Sequence, residues 1–267
     1  MIKKIKDIFL DALFPPGLYC ISCGSLITPD RSYSLCDSCI RKLHWITDRT
    51  CEKCGKALPE TYHGRVCYNC MMHSHDFDRG FSCLTYGMYE RELVFGLKYH
   101  GKGYLGRIFG DMMYDRIVLE NLMTDVIIPV PVHRSREKQR GYNQAAVMAK
   151  RLAERSGIPA DSMSLVRVRQ TQKLRGLDPV ERESVLQDAF FVPEHRRDRI
   201  KGRNVLLIDD IMTTGATADA CSRTLHEAGA SKVYFLSLAS GGNVRPADLM
   251  KPAGDRADIT GMSCAEH

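Results

Sequence analysis

No stretch of this 267-residue chain is long and apolar enough to cross a membrane, so no membrane span is expected. Lysines open the sequence and apolar residues follow. However, Asp7 and Asp11 interrupt that run and no small-residue cleavage site comes after it, so a signal peptide is not expected. An amphipathic helix over residues 1–17 is expected instead, with Ile5, Ile8, Phe9 and Leu13 on one face and Pro15-Pro16 as its stop. Tryptophan occurs once and aromatics make up 8% of residues, so platforms for stacking nucleic-acid bases are sparse. Tyr62, Tyr68 and Tyr142 are the obvious candidates. Hydrophobic content of 44% and charged content of 26% are ordinary for a soluble globular protein, and the length suits one α/β core plus a small extra module.

Cysteine is abundant, and eleven of them without a secretion signal argue for metal binding in the reducing cytoplasm rather than for disulfides. Cys20-x2-Cys23-x12-Cys36-x2-Cys39 is repeated 31 residues later as Cys51-x2-Cys54-x12-Cys67-x2-Cys70, and glycine follows the first pair both times (Gly24, Gly55). This is an internal duplication over residues 18–75. Each C-x-x-C turn puts two thiolates on one face of a knuckle, and two knuckles supply the four soft ligands of tetrahedral zinc. Two structural zinc sites with sequential pairing are expected. A cross-braced pairing and iron–sulfur ligation stay open at this point. The segment has little apolar sequence, so metal should carry much of its folding, and a chelator should unfold it while leaving the C-terminal sheet intact. His44, His63, His73 and His75 read as surface or packing residues, and Trp45 as packing in the linker between the repeats. Cys83 and Cys221 read as core.

Asn204-Val205-Leu206-Leu207-Ile208 reads as a buried parallel strand, ended by Asp209-Asp210 and followed by a Thr213-Thr214-Gly215-Ala216-Thr217 loop opening a helix. A loop entering a helix N-terminus offers unpaired N–H groups and the positive end of the helix dipole. The threonines add hydroxyls, and the two carboxylates could accept from vicinal hydroxyls or hold hydrated Mg²⁺. Phosphate plus diol points to a ribose 5-phosphate.

Charge is unevenly spread: residues 131–175 carry 11 basic against 3 acidic residues, a local excess of +8 within a chain of net charge +6. Arg134, Arg136, Lys138 and Arg140 fall at every second position, which predicts an extended loop whose cations converge on one anion, with a helix following from Asn143 to Ser156. Strands are expected at Phe81–Tyr86, at Val126–Val132 as the first of the main sheet, at Leu165–Arg169, at Ala189–Val192 and at Lys232–Leu238. Helices are expected near 89–99, 104–119, 180–187 and 216–228. Lys98 and Lys102 flank a glycine break. The polar stretch Gln170–Pro179 reads as a closing loop, and the tail 241–267 as frayed.

The acid pair and Thr/Gly loop resemble the phosphoribosyl-diphosphate (PRPP) motif of type I phosphoribosyltransferases. With the cysteine quartets and the Arg-x-Arg…Arg-Gly-Tyr-Asn-Gln block, the chain over residues 14–240 resembles the ComF family. The resemblance implies a phosphoribosyltransferase-type parallel sheet flanked by helices over 76–240, preceded by a double zinc ribbon. It implies PRPP with Mg²⁺ as ligand, Asp209 and Asp210 as the catalytic-position carboxylates at the ribose, and residues 213–217 around the 5-phosphate. Arg134, Arg136, Lys138 and Arg140 would face diphosphate or DNA, and Thr171, Gln172 and Lys173 would form the flexible loop. As partners it implies single-stranded DNA and an ATP-dependent DNA translocase of an uptake machinery. Two readings follow: a PRPP-binding DNA-handling accessory protein, and a working phosphoribosyltransferase whose acceptor the residues do not name.

Overall fold

The run Val205-Leu206-Leu207-Ile208 is fully buried, and its alternate residues enter two different cores. A strand covered on both faces must be apolar throughout, and each such side chain contributes about 1.5–3 kcal/mol. The structure, a computed structural model, describes residues 17–99, 103–168 and 189–241. The expected N-terminal helix, Lys102, the Thr171–Lys173 loop, helix 180–187 and the tail beyond Gly241 with Cys264 lie outside the described residues.

Among the described residues the main sheet has four strands: β1 (Arg79–Thr85), β2 (Val126–Pro129), β5 (Asn204–Met212) and β6 (Lys232–Ser240). Their order is β1-β6-β5-β2, and every pairing is parallel. Helices α3 (Met88–Tyr99) and α4 (Leu105–Leu119) carry the chain from β1 to the opposite edge at β2. Helices α5 (Arg134–Arg140) and α6 (Gln144–Ser156) follow β2, and α7 (Ala216–Glu227) joins β5 to β6. Two residues each, β3 (Val166–Arg167) and β4 (Phe190–Phe191), form a separate antiparallel ladder. The strand expected at Phe81 is therefore the edge of the main sheet, so the main sheet does not begin at Val126, and Leu165–Arg169 does not join it.

One face of the sheet packs Leu206, Ile208, Leu236 and Leu238 against Leu97 of α3, Phe109 and Met113 of α4 and Met148 of α6. The other packs Val205, Leu207, Val233 and Phe235 against Ala218, Cys221 and Leu225 of α7, whose i, i+3, i+7 spacing is an amphipathic stripe. Cys83 and Cys221 are buried, as expected.

The basic block departs from expectation, for residues 134–140 are helical. His133 caps the N-terminus by accepting from Ser135 N, and Gly141 ends the helix at φ +83. Arg, Glu, Lys and Gln are good helix formers, so alternation of charge does not stop a helix here. On a helix the four cations sort by i, i+4 pairs: Arg136 and Arg140 are half-buried, whereas Arg134 and Lys138 are exposed.

The duplication is preserved in three dimensions. Bridges Tyr19–Leu26 and Thr50–Ala57 are equivalent, and helices α1 (Asp37–Lys42) and α2 (Tyr68–Met72) each begin directly after a cysteine. The linker between the repeats lies along β1, through Ile46 N to Cys83 O (2.9 Å) and Thr85 N to His44 O (2.8 Å), and covers the sheet edge. Trp45 of that linker packs tilted against Tyr33 of the first repeat, with ring centroids 5.4 Å apart.

Candidate functional site

Gly215 is the N-cap of α7 at φ +96, a left-handed conformation that side chains resist, and it turns the chain so that the first helical N–H groups face outward. Thr213, Thr214, Gly215, Ala216 and Thr217 line one pocket with Asp209 and Phe235. The five residues expected around a phosphate are thus brought to one pocket.

The acid pair is placed differently from expectation. Strand β5 continues to Met212, with Asp209 opposite Ser237 and Ile211 opposite Ala239, so the carboxylates do not end it. The pair alternates across the sheet. Asp209 shares the α7 face and lines the pocket, whereas Asp210 belongs to the face of Ile208 and is 9% exposed. Asp210 N donates to Asp209 Oδ1 at 2.8 Å.

Arg167, which the sequence presents only as part of an alternating strand, belongs to the same neighbourhood. Burial lowers its pKa from the usual value and the charge of Arg136 lowers it further, while Cys221 and Asp209 act in the opposite sense. Its guanidinium lies over the Phe190 ring, 5.3 Å from the centroid. Arg167 of the β3–β4 ladder is therefore within electrostatic reach of both Arg136 on α5 and Asp209. Arg140 bonds Gln144 Oε1 at 3.2 Å, and Arg134 and Lys138 point away to solvent.

The eight cysteines gather in two groups, Cys20/23/36/39 and Cys51/54/67/70, within each of which the sulfurs lie within 4.8 Å of one another. Sequential pairing holds. Tetrahedral zinc with Zn–S near 2.3 Å needs sulfurs about 3.8 Å apart. Cys23 and Cys36 are 3.8 Å apart, and Cys54 and Cys67 are 3.7 Å apart. Cys36 N donates to Cys20 Sγ and Cys67 N to Cys51 Sγ, bonds that orient a ligand and favour its thiolate. In the second group hydrogen bonds from Cys54, Cys67 and Cys70 hold Cys51 far below an ordinary thiol, while Cys51, Cys54 and Cys67 drive Cys70 far above. Four thiols so crowded shed their protons together only to a cation, and both groups fit structural zinc.

The second ribbon touches the 213–217 loop, a contact that no motif in the sequence announces. Lys56, directly after Gly55, is 4% exposed, and its Nζ donates to Thr213 O at 2.5 Å. His75 is not a surface residue: its Nδ1 is 2.9 Å from Asp219 Oδ2, and its ring stacks on Phe77 at 4.5 Å. Asp219 also accepts from Asp76 N at 3.0 Å. Only the position after the knuckle glycine, Ser25 in one repeat and Lys56 in the other, hints at this difference. Of the three candidate stacking tyrosines, Tyr62 and Tyr142 are occupied otherwise, being half-buried and donating to Val66 O and Leu97 O.

Residues 9–71 match the family model of the double zinc ribbon domain, and residues 138–254 that of the phosphoribosyl transferase domain. Among characterised proteins the chain is similar to Competence protein F of Haemophilus influenzae, 26% identical over 228 residues that span 82% of this chain and 96% of that one. It is 27% identical over 231 residues to Competence protein ComFC of Bacillus subtilis, covering 79% of this chain and 90% of the relative. It is also 25% identical over 211 residues to the DNA utilization protein YhgH of Salmonella typhimurium, covering 77% and 90%. Carrying both modules in one chain and aligning with these relatives over most of their length, the protein is similar throughout to the ComF competence proteins.

Proposed function

We propose that the protein binds PRPP with Mg²⁺ at the head of α7. The observation that carries this reading is the convergence of Asp209 with the whole 213–217 loop in one pocket, with half-buried Arg167 in electrostatic reach of Asp209. In it the loop N–H groups and threonine hydroxyls hold the 5-phosphate, and Asp209, the carboxylate that lines the pocket, serves the ribose hydroxyls and the metal, with Asp210 behind it donating its backbone N–H to Asp209 Oδ1. Arg136 and Arg167 stand toward the diphosphate, where cations would stabilise a departing anion. Calorimetric titration tests the reading: Asp209→Asn should weaken PRPP–Mg²⁺ binding by about a hundredfold, the scale of a lost charged contact of nearly 3 kcal/mol. A variant that titrates like the parent overturns the assignment.

A second reading concerns nucleic acid and rests on the exposed pair Arg134 and Lys138, together with the names of the relatives. Single-stranded DNA would run along the outer face of α5, held through its phosphates. Replacing both residues by Ser should lower the salt slope of DNA binding by about 1.4, at roughly 0.7 per phosphate contact. PRPP affinity should stay as in the parent. An unchanged slope moves DNA elsewhere. Release of diphosphate on adding a nucleobase to the PRPP complex would instead mark the protein as an active phosphoribosyltransferase.

A further inference from the structure

We propose that Lys56, carried on the second zinc ribbon, is the cation of the phosphate loop, so that the ribbon is part of the anion site and not an appendage to it. The inference rests on the reading of that loop as a PRPP site.

A lysine ammonium has three donors and a full charge, and Lys56 is 4% exposed. Among the described residues its one acceptor is the neutral carbonyl of Thr213, 157 positions away in the chain, and no carboxylate pairs with it. A buried charge in that state is costly until an anion joins it. The loop beside it is where an anion would come, since Thr213 opens the turn that leads through Gly215 into the positive end of α7. Asp219, the acid in the first turn of α7, is engaged by His75 and Asp76 N.

The ribbon is held tightly enough to aim the lysine. Gly55 lies so close to β1 that a Cβ there would overlap the Gly80 carbonyl, and Gly80 N donates to Lys53 O at 2.7 Å. On the other side of the loop a Cβ at Gly215 would stand 2.6 Å from His75 Cε1. The second ribbon and its exit segment therefore bracket the phosphate loop. Because Lys56 follows the knuckle directly, zinc at Cys51/54/67/70 and an anion at the loop each favour the arrangement the other needs, and that coupling is reciprocal.

The test is calorimetry on the full-length, zinc-loaded protein with inorganic phosphate and with PRPP–Mg²⁺, at several salt concentrations. Lys56→Met removes charge and donor, whereas Lys56→Gln, one atom shorter, keeps an N–H donor on the side of Thr213 and removes the charge. Both should weaken both ligands by roughly ten- to a hundredfold and flatten the salt dependence, with two zinc equivalents retained. Parent-like binding by Lys56→Gln overturns the proposal, because a brace on Thr213 would then suffice. If neither variant holds its zinc, the parent's lysine ammonium ¹⁵N signals decide. One must shift and gain protection from exchange on adding phosphate, and a spectrum without that change overturns the proposal. A parent that binds phosphate through Lys56 but ignores PRPP overturns the PRPP reading alone. A parent that binds neither overturns both.

Discussion

The two ribbons share spacing, hydrogen bonds and a left-handed glycine, yet the fold uses them on opposite sides of the sheet. Cys20, Cys39, Leu35 and Leu43 of the first pack in the core of α3, α4 and α6. Cys51, Cys54, Cys67 and Leu58 of the second pack in the core of α7 and its loop. Gly24 and Gly55 have φ of +73 and +70, but a Cβ at Gly24 meets nothing within 4 Å, whereas at Gly55 it lands on the backbone of β1. One copy folds against the scaffold, and the other reaches the site. Duplication supplied two equivalent knuckles, and which helix each met decided what its neighbouring residues became.

Metal loss should separate them most. Cys51→Ser should drop one zinc equivalent and bring PRPP binding below detection, since it loosens the base of α7, and structural zinc is worth about 10 kcal/mol or more. Cys23→Ser, at an exposed ligand of the first group, should also drop one equivalent but leave PRPP affinity within about twofold, as for independent sites. Zinc quantification with calorimetry checks both, and equal losses of PRPP affinity would erase the distinction. Because each cluster packs into a sheet core, a chelator should also raise hydrogen exchange in the strands beneath, not in residues 18–75 alone.

Glycine substitutions sharpen the comparison at smaller scale. Gly55→Ala combines an unfavourable φ with overlap on Gly80 and should cost about 3 kcal/mol, whereas Gly24→Ala should cost about 1 kcal/mol from φ alone. Urea denaturation of the two variants would show the gap. On the same scale as Gly24→Ala should be Tyr33→Phe, which deletes the 2.5 Å bond from the first ribbon to Asp115 on α4. A loss of about 1 kcal/mol in stability with unaltered PRPP titration is expected, and a changed titration would mean that the first ribbon also reaches the site.

Elements carried by contiguous residues are legible in the sequence itself. The zinc groups follow from C-x-x-C spacing, α7 from its Gly215 start and i, i+3, i+7 stripe, and β5 from an uninterrupted apolar run. Helix α5 is not legible in that way, because alternating charge imitates extended backbone, while the features that form the helix, the His133 cap and the Gly141 stop, carry no period. Asp209 and Asp210 look like one functional pair because they are adjacent. In a strand adjacency means opposite faces, and β5 extends beyond them because β6 continues to pair with it up to Ser240.

Local covalent order thus dictates the knuckles, the apolar strands and the Thr/Gly turn before α7, since each depends on residues within a few positions of one another. Lys56 at Thr213, His75 at Asp219, Arg167 near Arg136 and the placing of Arg79–Thr85 beside β6 depend on packing between distant segments. Those contacts close loops of 157 and 144 residues in the first two cases. No periodicity records them, because which surface a buried side chain meets is settled only when the ribbons, helices and sheet come together around two shared cores.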